Sequence, residues 1–221
     1  MFARLKQKRE IKKLTKQYGT RIADGAYASG STLTVVGTTK VPFVLNGEAY
    51  QTLVVKEGVK RVYFEKFPNL RTLYIGPDVD YICVSQTFNC PKLENIFVDG
   101  ANKSFSSEKG VLLDKARKTV LKYPESKPDR EFAIPEGVER IEKGAFMFAK
   151  FLQKVKLPKS LKRLIGKPFY KCESLKEVSG GESLHWTKFE DTPLANEYLN
   201  EKYQALHNDR ALYKNDGELK R

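Results

Sequence analysis

The stretch IPEGVERIEKGAFMFAKFLQKVKLP, residues Ile134–Pro158, places its apolar side chains at Ile134, Val138, Ile141, Phe146, Leu152 and Val155. Adding 23 to each number gives Leu157, Leu161, Leu164, Phe169, Leu175 and Val178. Every position stays apolar in a chain whose hydrophobic fraction is 40%, so the step is a repeat rather than coincidence. The pattern runs earlier through Ile75, Val79, Ile82, Phe88, Leu93 and Ile96, with its aromatic one position late. An abbreviated copy reads Val55, Val59, Val62, Leu70, Leu73 and Ile75, three residues short at the turn. Four units result, at 52–75, 75–98, 134–157 and 157–180.

A period in the twenties marks a stacked solenoid of leucine-rich-repeat kind. One unit cannot bury enough apolar surface to offset the ordering of its own backbone, so neighbours must supply the rest. Within a unit, LQKVKLP alternates Leu152, Val155 and Leu157 inward with Lys154 and Lys156 outward, which predicts a short strand. Pro158 stops it, because proline has no N–H to give to a ladder. GVERIE reads as a second short strand, and KGAFMFAKF as a one-turn helical corner that inserts its phenylalanine. Three residues before each unit's leucine stand Phe67, Cys90, Ala149 and Cys172, which stacking would place in one buried column.

The phrases IPEGVERIEKGAF, FNCPKLENIFV and FYKCESLKEV resemble the BspA-like leucine-rich repeat family. The segment NKSFSSEKGVLLDKARKTVLKYP is similar to the β-hairpin that interrupts such solenoids, with GVLLD and TVLKYP as its two strands. The resemblance covers about residues 50–180. It implies a solenoid with a parallel sheet along one side, used as an interaction surface, in a family often found as bacterial surface adhesins.

The expected architecture is therefore a β-rich (α+β) solenoid of four units. A basic extension (1–21) and an N-terminal β cap (22–51) precede the solenoid (52–180), which a hairpin insertion (99–131) interrupts. A C-terminal cap (181–221) follows. The front segment STLTVVGTTKVPFVLNGEAYQTLVV is rich in β-branched residues with turn signals at Gly37 and Asn46-Gly47, so strands covering the first unit are expected. At the back, Thr192-Pro193 suits a helix start and LANEYLNEKYQAL a capping helix. RALYKNDGELKR looks like the start of another hairpin.

Charge is uneven. The net +13 divides into +7 over residues 1–21, +2 over 22–131, +6 over 132–180 and −2 over 181–221. In the leading segment Ile11, Leu14 and Tyr18 share a helical face while Phe2 and Leu5 fall opposite, so a continuous amphipathic membrane helix is not indicated. A solvated or partly helical extension is expected. No apolar run is long enough to span a bilayer and no signal-peptide core is present, which as written implies a cytoplasmic address. A surface or secreted location is the alternative if the residues are a fragment.

Chemistry-bearing motifs are sparse. Cys83, Cys90 and Cys172 have no CxxC spacing, and His185 and His207 have no metal-ligand spacing. GAYASGST (Gly25–Thr32) lacks the lysine of a phosphate loop, leaving a glycine turn. Asn102-Lys103-Ser104 fits a glycosylation sequon and reads as a loop. No catalytic, cofactor or metal residues are assigned and the chain is expected to be non-catalytic. Outward strand positions predict the ladders Thr72–Asn95–Lys154–Glu177, Tyr74–Phe97–Lys156–Ser179 and Arg61–Tyr81–Arg140–Arg163. From these, the interaction surface is assigned to Arg61, Tyr74, Tyr81, Phe97, Arg140, Lys154, Lys156 and Arg163, facing a protein or glycan partner. The alternative is a nucleic-acid or other polyanion binder using the tail and the Lys150–Lys176 band.

Overall fold

In the computed structural model the described residues are 2–37, 47–62, 67–83, 90–180 and 192–194. The leading segment is a full helix, α1 (Phe2–Tyr18). It ends at Gly19, whose φ of 97° suits glycine and whose added Cβ would stand 2.2 Å from the Ala28 carbonyl oxygen. Strands β1 (Thr20–Ala23), β2 (Ala26–Ser29) and β3 (Thr32–Val35) then form an antiparallel meander. The glycine-rich GAYASGST is thus the β2–β3 hairpin.

From there the chain climbs as a solenoid. Strands β4 (Thr52–Val55), β6 (Thr72–Ile75) and β8 (Asn95–Val98) add in parallel to β3, in the register Thr32, Thr52, Thr72, Asn95. A second column pairs β5 (Arg61–Val62) with β7 (Tyr81–Ile82). The parallel stack therefore begins one rung earlier than the repeat pattern announces. β3 was expected to cap the first unit, yet it forms a rung of the same sheet.

Strands β9 (Phe105–Glu108), β10 (Val111–Asp114) and β11 (Thr119–Lys122) are antiparallel, and GVLLD and TVLKYP supply the latter two as expected. Then β12 (Glu131–Ala133), β14 (Lys154–Lys156) and β16 (Glu177–Ser179) stack in parallel at a step of 23. β13 (Arg140–Ile141) and β15 (Arg163–Leu164) extend a column that starts at β11.

The hairpin is not looped out of the stack; it divides it. Period-two alternation sends successive side chains of a strand to opposite faces. Leu112 joins a first core with Leu53, Leu73 and Ile96. Its neighbours Val111 and Leu113 join a second with Ile141, Phe146 and Leu152. β10 is buried on both sides, as a strand inside two packed layers must be.

In the second block the corners at 142–149 are successive turns closed by i→i+3 bonds, Ala145 N–H to Glu142 O, Met147 N–H to Gly144 O and Ala149 N–H to Phe146 O, each 3.0 Å. They insert Phe146 at zero exposure, as expected. Tyr123, Phe146 and Phe169, spaced by 23, stack with centroids 5.0 and 4.8 Å apart. Tyr123 belongs to the hairpin, so the insertion itself provides a rung.

Phe67, Cys90, Ala149 and Cys172 are all buried, and the thiol of Cys172 donates to Phe146 O at 2.9 Å. They do not form one unbroken column. Ser126 N–H donates to Leu93 O and Lys150 N–H to Glu125 O, so the returning hairpin stands between the rungs of Cys90 and Ala149. Thr192 is buried, Pro193–Leu194 are helical and Leu194 packs on the second core. The rest of the expected capping helix, Phe88, both histidines and the second hairpin lie outside the described residues.

Candidate interaction face

Each strand of the first block turns one side chain inward and its neighbours outward. Leu73 and Ile96 are fully buried, which leaves Tyr74 and Phe97 facing out. Their exposures are 43% and 40%, so neither the hairpin nor any other described segment covers them. The rings stack along the solenoid axis, centroids 5.2 Å apart and planes 27° apart. Beside them runs a polar column of Thr52, Thr72 and Asn95. Toward the front the aromatic column continues as half-buried Val54 and buried Thr34, so the apolar plate has a defined edge. Around the corner Arg61 lies over the Tyr81 ring at 6.0 Å, and Tyr81 is 45% exposed.

The second block presents a different surface. Lys154 stands between Glu131 at 3.9 Å and Glu177 at 3.0 Å, and the Glu177 hydrogen bond raises its pKa. Lys156 is exposed between Ala133 and Ser179. Arg140 and Arg163 are register partners, and Arg140 pairs with Glu142 at 3.1 Å. They line an open pocket of about 240 Å³ with Asp114, Lys118, Thr119, Glu139 and Lys162. Glu139 is held between Lys118 at 2.9 Å and Lys162 at 2.8 Å, and those two hydrogen bonds bring its pKa down to about 2.

The expected ladders are therefore half right. Thr72 does pair with Asn95, Tyr74 with Phe97 and Arg61 with Tyr81. Lys154 does pair with Glu177, Lys156 with Ser179 and Arg140 with Arg163. The joins between the blocks fail. Glu131 and Ala133 precede Lys154 and Lys156, and Thr119 precedes Arg140, because the hairpin and β12 occupy those rungs.

A third cluster escaped sequence reasoning. Phe148 (38% exposed) and Phe151 (49%) lie on the corner edge, and Tyr170 meets Phe148 edge-on at 6.3 Å. Lys171 sits 5.9 Å from the Phe148 ring and 5.6 Å from Tyr170. Phe148 and Lys171 are 23 apart and both have positive φ, 61° and 55°, so the same left-handed corner recurs. The available signal was the repeat register itself, which places both residues at one corner position.

The strongest electrostatic perturbations are internal. Burial pushes the Cys90 and Cys172 thiols up to about 12. Lys122 and Glu125, 1% and 3% exposed, pair at 3.5 Å in the hairpin rung. Burial lowers the pKa of Lys122 and raises that of Glu125, while each one's charge opposes the other's shift. Among the described residues no three His, Cys, Asp or Glu side chains gather as a metal site would require. No described helix is long and apolar enough to cross a membrane.

The sequon residue has a structural task. Asn102 is fully buried; its side-chain amide donates to Gly76 O at 2.7 Å and Val79 O at 2.9 Å. Its side-chain oxygen accepts from the N–H of Ser104 at 2.9 Å and of Phe105 at 2.7 Å. With both amide protons used inside the fold, no glycan can be carried there in the folded protein.

Residues 125–206 match the family model described as "BspA type Leucine rich repeat region (6 copies)". Among solved structures, the chain is similar to a leucine rich cell surface protein from Faecalibacterium prausnitzii A2-165, with 24% identity and a TM-score of 0.52 over 65% of this chain. That match spans only 41% of the Faecalibacterium chain. A leucine-rich repeat protein from Eubacterium ventriosum ATCC 27560 aligns at 15% identity and a TM-score of 0.41, over 67% of each chain. The pneumococcal vaccine antigen PcpA aligns at 13% identity and a TM-score of 0.41, over 76% of this chain and 72% of its own. No curated protein matches. The 23-residue step, the buried phenylalanine corner and the matched segment agree: residues 125–206 are similar to a leucine-rich repeat region of the BspA type.

Proposed function

We propose that the chain is a non-catalytic interaction module whose first-block strand face receives a protein or glycan partner. The observation that carries this reading is the exposed Tyr74–Phe97 stack on a rigid parallel sheet. Large aromatic side chains held by their own backbone lose little conformational freedom on contact, which is why they dominate binding surfaces. Thr72 and Asn95 beside them offer hydrogen bonds in the same plane. Arg61 and Tyr81 form the flank of this surface, and Arg140, Lys154, Lys156 and Arg163 a charged second patch. The non-catalytic part is supported by the location of the groups most perturbed by burial. Cys90, Lys122, Tyr123 and Glu125 sit around the buried joint between the cores rather than in an open cleft. An extracellular address suits the likeness to a cell surface protein better than a cytoplasmic one.

The test is a binding screen of the full chain against immobilised matrix proteins and glycans, with the Tyr74→Ser/Phe97→Ser variant beside it. A genuine partner is expected to lose at least about tenfold in affinity to the variant, since the pair holds two hot-spot side chains, while thermal stability stays unchanged. Equal binding by both proteins would refute the assignment of this face.

The polyanion reading keeps one favouring observation, the exposed basic side of α1. Three lysines of the Lys150–Lys176 band are already paired with groups of the protein itself: Lys150 with Pro91 O at 2.5 Å, Lys154 with Glu177 at 3.0 Å and Lys162 with Glu139 at 2.8 Å.

A further inference from the structure

Tyr74 and Phe97 are register partners on β6 and β8, so their backbones lie about 4.8 Å apart along the solenoid axis. Their ring centroids are 5.2 Å apart and their planes 27° apart. Two rings side by side in one plane would keep their centroids roughly 6.5 Å apart or more at van der Waals contact. The pair therefore overlaps face to face, and the line joining the rings runs along the axis. Each ring stands on edge relative to the sheet. At 43% and 40% exposure, solvent meets a row of ring edges rather than an open aromatic floor.

That orientation decides which chemistry the surface accepts. An aromatic ring is negative on its faces and positive around its edge. One face of each ring is covered by the other, and Val54, the register partner of Tyr74, stands beyond it in the same column. The C–H groups of a sugar ring and the cations of Lys or Arg both seek a ring face. Here they meet positive edges instead. An edge calls for electron density, either the face of another aromatic ring or an oxygen lone pair. A carboxylate is the poorer choice of oxygen. Thr52, Thr72 and Asn95 alongside carry no charge, and Arg71, just ahead of β6, is already paired with Glu94. An anion brought here would lose water without gaining a countercharge. Tyr74 adds a second demand, because its hydroxyl makes no hydrogen bond among the described residues and can donate one.

We infer that this face takes a polypeptide that lays an aromatic side chain flat over the Phe97 edge and gives a backbone carbonyl oxygen to the Tyr74 hydroxyl. The inference rests on the reading of this face as the binding surface. It narrows the partner from protein or glycan to a chain bearing an exposed aromatic ring. Both contacts are directional, and the parallel sheet fixes the two residues that make them.

The experiment pans a phage-displayed random peptide library on the full chain and, in parallel, applies the chain to a glycan array. The Tyr74→Ser/Phe97→Ser variant is carried through both arms. Peptides that bind the parent and are lost by the variant are expected to carry Trp, Tyr or Phe, and no glycan is expected to behave this way. For the synthesised peptides, Phe97→Leu keeps the apolar volume but removes the ring edge, and should weaken binding about fivefold. Tyr74→Phe removes only the hydroxyl and should also cost about fivefold. Unchanged thermal unfolding of each variant checks that the fold is intact. A glycan whose binding the double variant abolishes would overturn the inference while leaving the face as the binding surface. So would variant-sensitive peptides that lack an aromatic residue, or Phe97→Leu binding them as the parent does. If no ligand in either arm distinguishes the parent from the double variant, the face itself is misassigned and the inference falls with it.

Discussion

Asn102 replaces, with one side chain, the backbone partners that a further rung would have offered to Gly76 O and Val79 O. The chain leaves the first block here, so those carbonyls would otherwise be buried without donors. Its own oxygen meanwhile holds the N–H groups of Ser104 and Phe105 and so steers the chain into β9. Removing such a group strands two buried carbonyls and two part-buried N–H groups, which is among the more damaging things one substitution can do. Asn102→Ala is expected to lower unfolding stability by about 3–5 kcal/mol, measured by urea denaturation; a loss within experimental error would mean water takes the amide's place. None of this is visible in the string NKS, which reads equally well as a solvated loop. Lys122 and Glu125 were hidden for a related reason. Charged residues are almost always exposed, so no sequence pattern distinguishes the rare pair that the fold encloses.

Among the elements, the short strands of the second block show how a repeat makes a charge ladder. Lys118, Glu139 and Lys162 stand at equivalent positions just ahead of β11, β13 and β15, and the central carboxylate is shared by both lysines. Its folded pKa of about 2 lies below the ordinary 4.5, so the unfolded chain takes up the proton first as pH falls. The stabilisation is complete above pH 4.5 and is lost as pH drops through about 2. Glu139→Gln is therefore expected to flatten the acid limb of a melting-temperature profile in that window and to leave the neutral region little changed; an unaltered limb would show solvent screening has cancelled the effect. The effect is small because the group is exposed. Element by element, the 23-residue step was legible because stacked rungs demand the same apolar residue at the same depth each time. β3 was not, because the rungs Thr32, Thr52 and Thr72 are 20 apart and the first carries too few large apolar residues to announce itself. The aromatic plate was legible as two outward positions, Tyr74 and Phe97. Its separation from the charged patch was not, since that depends on where the hairpin re-enters.

At the scale of the molecule the hairpin matters most. β10 gives Leu112 to one core and Val111 and Leu113 to the other, so neither block can unfold without exposing a strand of its neighbour. The buried Lys122–Glu125 pair lies in this shared rung. A buried charge that loses its partner destabilises strongly, whereas replacing both by apolar groups is often neutral. Lys122→Met is accordingly expected to destabilise the protein by about 3–5 kcal/mol, and Lys122→Met/Glu125→Leu to recover most of the loss. Dichroism during heating should show a single transition in all three proteins. Recovery failing in the double variant would mean the pair is needed for its hydrogen-bond geometry rather than its charge.

The dividing hairpin has an evolutionary corollary. Because each block leans on β10–β11 rather than on the other, duplication or deletion of a 23-residue segment beyond Leu157 changes the length of the rod by about 4.8 Å per copy. The Tyr74–Phe97 plate, on the far side of the divide, keeps its place through such edits. A lineage could thus lengthen or trim one arm while selection acts separately on what the other arm recognises.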